Sequence, residues 1–318
     1  MSVETSRVTF PPQFSVRTQA PLKDYTHIRI GGPAHYLAEI GDQNIFVELY
    51  RFCRQIGLPF LALGDGTNVF FPQSGRDGLV AVIRFDKATT VAKNAIVAEA
   101  GAGLEQITAL CIENGLSGFE FASGIPGTLG GAVFGNAGAY GSNIGELVTR
   151  ARILTPEGRV ELVGGDFFRF AYRHSYLKEF PAIVLQAELQ LAKGDPHKIA
   201  ARCQEILDIR REKLPPPETP TAGSWFKNID CGKERRTAAA VYLEAVGSKA
   251  TSVGDAAVHP KHANIFYNKG CATADDMLQL QEILQKRVFE RFGILLEREV
   301  MYLESRGQSS LMMPQSRL

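Results

Sequence analysis

The chain has no excess of either charge. Lys and Arg total 35 against 34 Asp and Glu, a formal net charge of +1. Proteins that hold nucleic acid or an anionic membrane surface usually carry a basic excess, so neither partner is expected. An anionic ligand would have to be held by local groups. There is also no apolar run long enough to span a bilayer. The opening residues, MSVETSRVTF, contain nothing like a signal-peptide core, which makes the cytoplasm the expected location. The five cysteines (Cys53, Cys111, Cys203, Cys231 and Cys271) are odd in number and lack CxxC spacing. That argues for reduced thiols over a disulfide framework or a zinc site. No His/Cys/Asp grouping has metal-ligand spacing, so no metal is expected. Internal repeats are absent as well.

What the chain does have is an ordinary globular composition, with 45% hydrophobic and 22% charged residues over 318 positions. That length suggests two or three domains. The first third reads as strand (36–39), helix (43–56, stopped by Gly57) and strand (59–63), followed at once by the loop GDGTNVF. Strands are expected near 79–84 and 95–100, and a helix over 103–114. Pro156-Glu157-Gly158 marks a hairpin between strands at 146–155 and 159–163. Ile199, Cys203, Ile206 and Leu207 recur at helical spacing over 196–212 before LPPPETP (214–220), the best linker in the chain. Beyond it, helices are expected at 237–245 and 274–292, the second capped by Thr273 with Asp276 three residues on. Met277, Leu280, Leu284, Val288 and Phe292 line its apolar face, and a last strand, ILLEREVMYL, closes the fold. The pattern is mixed α/β or α+β, and the ending SRGQSSLMMPQSRL reads as a frayed tail.

Glycine is the feature in surplus. Residues 124–141, GIPGTLGGAVFGNAGAYG, hold seven glycines in eighteen positions. Each costs roughly 0.5–1 kcal/mol relative to alanine inside regular structure. A second side-chain-poor loop, Gly64-Asp65-Gly66-Thr67-Asn68, directly follows a strand. There the backbone N–H groups can converge on an anion, with Thr67 and Asn68 adding side-chain donors. Gly127-Thr128-Leu129-Gly130-Gly131-Ala132 is placed to start a helix whose N-terminus attracts phosphate oxygens. One such loop would read as a tight turn; two favour a pyrophosphate bridged between them. A Rossmann site is excluded, because Gln106 stands where the third glycine of GxGxxG belongs.

Other groupings leave more than one reading open. Arg173, in Tyr172-Arg173-His174-Ser175, is either a surface arginine with a packed stem or a fixed guanidinium for a carboxylate. Ser224, in Ala222-Gly223-Ser224-Trp225-Phe226-Lys227-Asn228, lacks the GxSxG surroundings of a hydrolase nucleophile. Glu297 and Glu299 share one face of the last strand, and Lys261-His262-Ala263-Asn264 reads as a polar turn.

Taken in order, HIRIGGPA (27–34), LGDGTNVF (63–70), the glycine stretch 124–141, FAYRHSYLK (170–178), AGSWFKN (222–228), VGDAAVHPKHANIFYN (253–268) and LEREV (296–300) resemble the UDP-N-acetylenolpyruvoylglucosamine reductase family, in its shorter class. The resemblance implies an α+β fold of three domains. Two, at 1–85 and 86–213, form a vanillyl-alcohol-oxidase-type FAD-binding unit. A C-terminal domain at 214–318 binds the substrate. It implies non-covalent FAD, with Gly64, Asp65, Gly66, Thr67, Asn68, Gly127, Thr128, Gly130, Gly131 and Ala132 as cofactor contacts, and NADPH as reductant. The implied reaction converts UDP-N-acetylglucosamine enolpyruvate to UDP-N-acetylmuramate for peptidoglycan, with a hydride to C3 and a proton to C2. Arg173 and Glu299 would stabilise the carboxylate as charge builds on it, Ser224 would give the proton, and Asn228 would contact the sugar nucleotide. Glu297 has no matching role. Thr67 stands where the family has serine, which keeps the hydroxyl. A monomer is expected. Two other readings remain: another flavin oxidoreductase of the same fold, which would need a residue placed to attach flavin, and a catalytically silent flavin-binding module, which should have lost one of the three catalytic side chains.

Overall fold

A computed structural model describes residues 8–91, 94–232 and 236–305. The expected frayed end, apart from Ser305, lies outside the described residues. Within them, regular elements gather around three sheets. The first runs in the order Arg17–Pro21, Pro33–Ile40, Arg76–Ile83, Phe60–Leu63. Its first pair is antiparallel and the others parallel. Helix α1, Gln43–Gln55, supplies the crossover that a parallel pair requires. It starts where the Asp42 carboxylate accepts the N–H groups of Asn44 and Ile45, and it buries Phe46, Val47, Leu49 and Cys53 at helical spacing.

The second sheet is antiparallel throughout, in the order Val160–Gly164, Val148–Leu154, Ile183–Gln190, Ala95–Glu99, Ala88–Val91. The expected Pro156–Gly158 hairpin joins the edge strand Val160–Gly164 to its neighbour Val148–Leu154. Its tip docks on α1, where Tyr50 donates to the Pro156 carbonyl and Arg51 to that of Gly158. Helices α2 (Leu104–Glu113) and α3 (Leu129–Gly135) pack on this sheet, and one continuous core spans both sheets, from Phe14 to Leu191.

Helix α4, Pro196–Lys213, ends at the proline-rich linker. It buries Ile199, Cys203 and Ile206, but Leu207 stays half-exposed on the rim of that face. After the linker comes an antiparallel sheet in the order Thr221–Ser224, Ile265–Asn268, Ala256–Val258, Ser252–Val253. Helix α5 (Ala239–Ala245) and helix α6 (Ala274–Phe292) cover it. The Thr273–Asp276 capping box forms in full, and Met277, Leu280, Leu284 and Val288 are buried as expected. Phe292, at the last turn, is half-exposed because the sheet beneath it has ended. This third core also takes in Ile28, Ile30 and Phe70 from the N-terminal part of the chain.

The expected last strand is a correction. Only Met301–Tyr302 forms a ladder, parallel to Val69–Phe70. Residues 296–300 are irregular because this segment changes partners along its length. Lys227 N–H donates to the Glu297 carbonyl and Glu299 N–H to that of Trp225; Met301 N–H then donates to Asn68 and Leu303 N–H to Phe70. A segment stitched to two different neighbours cannot keep one ladder register. It therefore ties the loop after the first sheet to the strand that carries Ser224.

Candidate active site

The two glycine-rich loops meet face to face. A Cβ on Gly64 would lie 2.6 Å from Thr128 Oγ1, and one on Gly127 would lie 2.9 Å from Thr67 Oγ1. Real side chains do not tolerate such distances, so glycine is what lets the loops approach. Gly66 is held more tightly still. It has φ +63°, and a Cβ there would meet the Tyr25 carbonyl oxygen at 2.0 Å. Among the described residues, none of the backbone N–H groups of Gly64–Asn68 donates to a protein acceptor. They form a set of unused donors at the loop, as expected from the sequence.

The other loop works differently. The N–H of Leu129 donates to the Ala102 carbonyl and that of Gly130 to Ala100, both at 2.8 Å. Gly131 N–H reaches only its own cap, Thr128 Oγ1, at 3.5 Å. The open helix N-terminus expected at Gly130 is therefore absent, because the turn that follows strand Ala95–Glu99 takes its first donors. Gly130 is small for the same reason: a Cβ would press on Ala100 at 3.0 Å. Thr128, Gly131 and Ala132 contribute a thin wall rather than an anion-binding helix end.

A cavity of about 450 Å³ runs from these loops to the third sheet. Its lining brings together Gly64–Asn68, Gly127, Thr128, Gly130, Gly131, Ala132, Arg173, Ser224 and Glu299. Asn228 is not part of that wall. It sits on the exposed surface of the third lobe, its N–H donating to Tyr172 Oη and its Oδ1 accepting from Ala239 N–H at the start of α5.

At the far end, Arg173 Nε donates to Glu299 Oε1 at 2.7 Å. Both side chains are largely buried, at 26% and 17% exposure. Burial raises the Glu299 carboxyl above its usual range, and the Arg173 guanidinium offsets only part of that. Arg173 has φ +53°, an uncommon state for a non-glycine residue. The reciprocal bonds between Ala171 and His174 close the turn that holds it there. Among the described residues only Nε is engaged, which leaves both terminal guanidinium nitrogens to fork a planar anion. Ser224 lines the opposite wall. The register shifts between Thr221 and Ser224 and Gly223 has φ +78°; among the described residues the Ser224 hydroxyl meets no protein partner.

Sequence reasoning missed three features here. Lys178 and Arg210 also line the cavity. Lysine or arginine at a helical turn ordinarily reads as surface; Lys178 closes the FAYRHSYLK motif without a role of its own there, and no motif marks Arg210. Asn264 reads as part of a polar turn yet is buried; its side chain bonds both the N–H and the carbonyl of Phe226. It props the strand next to Ser224. Trp225 is core rather than site, stacked on Phe266 and bonded to Gln281. Glu297 pairs with Lys227 on the surface.

An elongated cavity, a glycine-lined wall with unused backbone donors and a cation–carboxylate pair at its far end fit a dinucleotide cofactor on a non-Rossmann fold. The family model described as FAD binding domain matches residues 34–164, which makes the chain an α+β flavoprotein. The model described as UDP-N-acetylenolpyruvoylglucosamine reductase, C-terminal domain, matches residues 215–303. Curated UDP-N-acetylenolpyruvoylglucosamine reductases are similar over most of their length. That of Caldanaerobacter subterraneus subsp. tengcongensis is 39% identical over 280 residues, 88% of this chain and 91% of the relative. That of Levilactobacillus brevis is 37% identical over 289 residues, 91% of this chain and 93% of the relative. The crystal structure of the reductase from Thermus caldophilus superposes with a TM-score of 0.75 at 28% identity, covering 90% of this chain and 99% of that one. The chain belongs to the UDP-N-acetylenolpyruvoylglucosamine reductase family.

Proposed function

We propose that the protein reduces UDP-N-acetylglucosamine enolpyruvate to UDP-N-acetylmuramate, a step of peptidoglycan precursor synthesis, with NADPH as reductant, acting as a cytoplasmic monomer. Among the described residues no helix is long and apolar enough to cross a membrane. We take the chain to divide at 85/86 and 213/214 into two FAD-binding parts and a substrate-binding part. The residues present suit FAD. The Gly64–Asn68 donors face the cavity where a pyrophosphate would lie, and the Gly127–Ala132 wall has no side chain that would fill the space. Bound there and reduced by NADPH, FAD would supply the hydride that C3 of the enolpyruvyl group gains.

The chain's own residues handle the rest of the chemistry. As C3 gains its hydride, negative charge gathers at C2 and on the adjoining carboxylate. Arg173 offers its two free terminal nitrogens to that carboxylate, while Glu299 holds Nε and so sets the plane of the fork. Electrostatic preorganisation of this kind is typically the largest contribution to a barrier. Ser224 then gives C2 its proton. A hydroxyl is a weak acid, but a carbanionic enolate is a strong enough base to take that proton. Asn228, at the rim, contacts the sugar nucleotide.

The observation that carries this reading is the Arg173–Glu299 pair with its unused fork, set in the same cavity as an unpartnered Ser224 hydroxyl. The test is NADPH oxidation by the yellow holoenzyme with and without the enolpyruvyl sugar nucleotide. Turnover should require the substrate. Equal oxidation in its absence, with oxygen consumed instead, would make the protein an oxidase of the same fold. Protein that takes up no flavin on refolding with FAD would exclude both.

A further inference from the structure

The charges at the far end of the cavity do not balance. In the cavity wall Arg173 is matched by Glu299, and on the nearby surface Lys227 is matched by Glu297. Lys178 completes the group, and among the described residues it has no carboxylate within ion-pair distance. Its Nζ donates to the Arg173 carbonyl oxygen at 2.7 Å and lies 5.5 Å from the Phe134 ring centre. An ammonium has three N–H donors, so two remain while the side chain lines the cavity. A partly desolvated cation with free donors beside a paired arginine is placed to meet a second anion. Resting on the function proposed above, we infer that Lys178 is a substrate-holding residue. Its ammonium pairs with the enolpyruvyl carboxylate, while its bond to the Arg173 carbonyl holds that arginine in its left-handed turn.

The surroundings make this charge responsive to pH. Burial, then repulsion from Lys227, pulls the Lys178 ammonium down to about 8; Glu299 and Glu297 oppose that fall and Arg173 adds to it. Below that pH the cation is present; above it the cation is lost, and with it the attraction for a carboxylate.

The experiment titrates the oxidised holoenzyme with UDP-N-acetylglucosamine enolpyruvate, following flavin absorbance from pH 6.5 to 9.5. In the native enzyme Kd should rise roughly tenfold between pH 7 and pH 9.5 as one group near 8 deprotonates. Lys178→Met should bind about tenfold more weakly at pH 7, with no alkaline limb. Lys178→Arg should restore tight binding and lose the limb upward. Flavin reduction by NADPH should stay near native in both. Native-like affinity with an intact limb in Lys178→Met overturns the inference. So does a change confined to the flavin midpoint potential, which would assign the charge to the reduced cofactor instead. If Lys178→Met fails to retain FAD, the native titration decides alone, and a flat Kd overturns the role. Native enzyme that neither binds nor reduces the sugar nucleotide removes the parent reading and this one together. Native turnover with an unaltered Met variant removes only this one.

Discussion

Replacing Arg173 with lysine keeps one positive charge and removes a shape. The native guanidinium does two jobs at once: Nε bonds Glu299 at 2.7 Å while the terminal nitrogens stay free. A single lysine nitrogen can pair with Glu299 or with a substrate carboxylate, but it cannot hold both in one plane. The backbone does not distinguish the two residues, since φ +53° strains either side chain equally. The loss is therefore that of two charge-assisted bonds, each worth about 1.5–3 kcal/mol in full. Allowing for what the ammonium recovers, about 2–4 kcal/mol of transition-state binding should vanish, or roughly 30- to 1,000-fold in kcat/KM. Stopped-flow separates the steps. Flavin bleaching by NADPH should be near native, and reoxidation by the enolpyruvyl sugar nucleotide should carry the whole loss. Reoxidation within about threefold of native would refute the fork argument and reduce Arg173 to a generic charge.

Three further outcomes are expected. Ser224→Ala should leave reduction by NADPH intact and slow reoxidation by substrate about 10²–10⁴-fold; equal loss in both halves would count against the proton-donor role. Gly66→Ala should destabilise the fold by more than Gly232→Ala and release FAD, as read by thermal melting and flavin content. Both positions have positive φ, at +63° and +75°, but only at Gly66 would the new Cβ meet a backbone oxygen, at 2.0 Å. Equal melting shifts would show that backbone conformation alone matters there. Glu299→Gln should abolish turnover without lowering the melting temperature of the flavin-free protein at neutral pH. Because burial raises this carboxyl, its contribution to stability is present below the ordinary glutamate range and lost as pH rises through the raised value. A clear drop in melting temperature at pH 7 would mean that the Arg173 pair outweighs desolvation.

Much of this architecture was legible in one dimension, because its signals are local. The caps at Asp42 and Thr273, the Pro156–Gly158 hairpin turn and the apolar faces of α1 and α6 depend on residues within a few positions of each other. The loop Gly64–Asn68 announced its unused donors because glycine, threonine and asparagine directly after a strand have few other uses. The motifs around Arg173, Ser224 and Glu299 named candidates, though the residues alone left a surface arginine and a turn serine equally open.

Only the tertiary structure decided how these candidates are used, because their partners are distant in sequence. Leu129 and Gly130 were expected to present a free helix end; Ala100 and Ala102, in another strand connection, take their donors. The 296–300 segment reads as a strand by pattern, yet it divides its bonds between residues 225–227 and the loop near Asn68, so no ladder forms there. Arg210 carries nothing in sequence that separates it from a surface cation, and Lys178, though it ends the FAYRHSYLK motif, has no role marked there. Whether a charge is buried, paired or free depends on which elements fold over it, and propensity and periodicity do not encode that. Arg173, Ser224 and Glu299 were nameable from the chain alone. That Arg173 gives Nε to Glu299, 126 positions away, and that Lys178 beside it meets no carboxylate among the described residues, follows from which elements fold over this end of the cavity and from the burial they create.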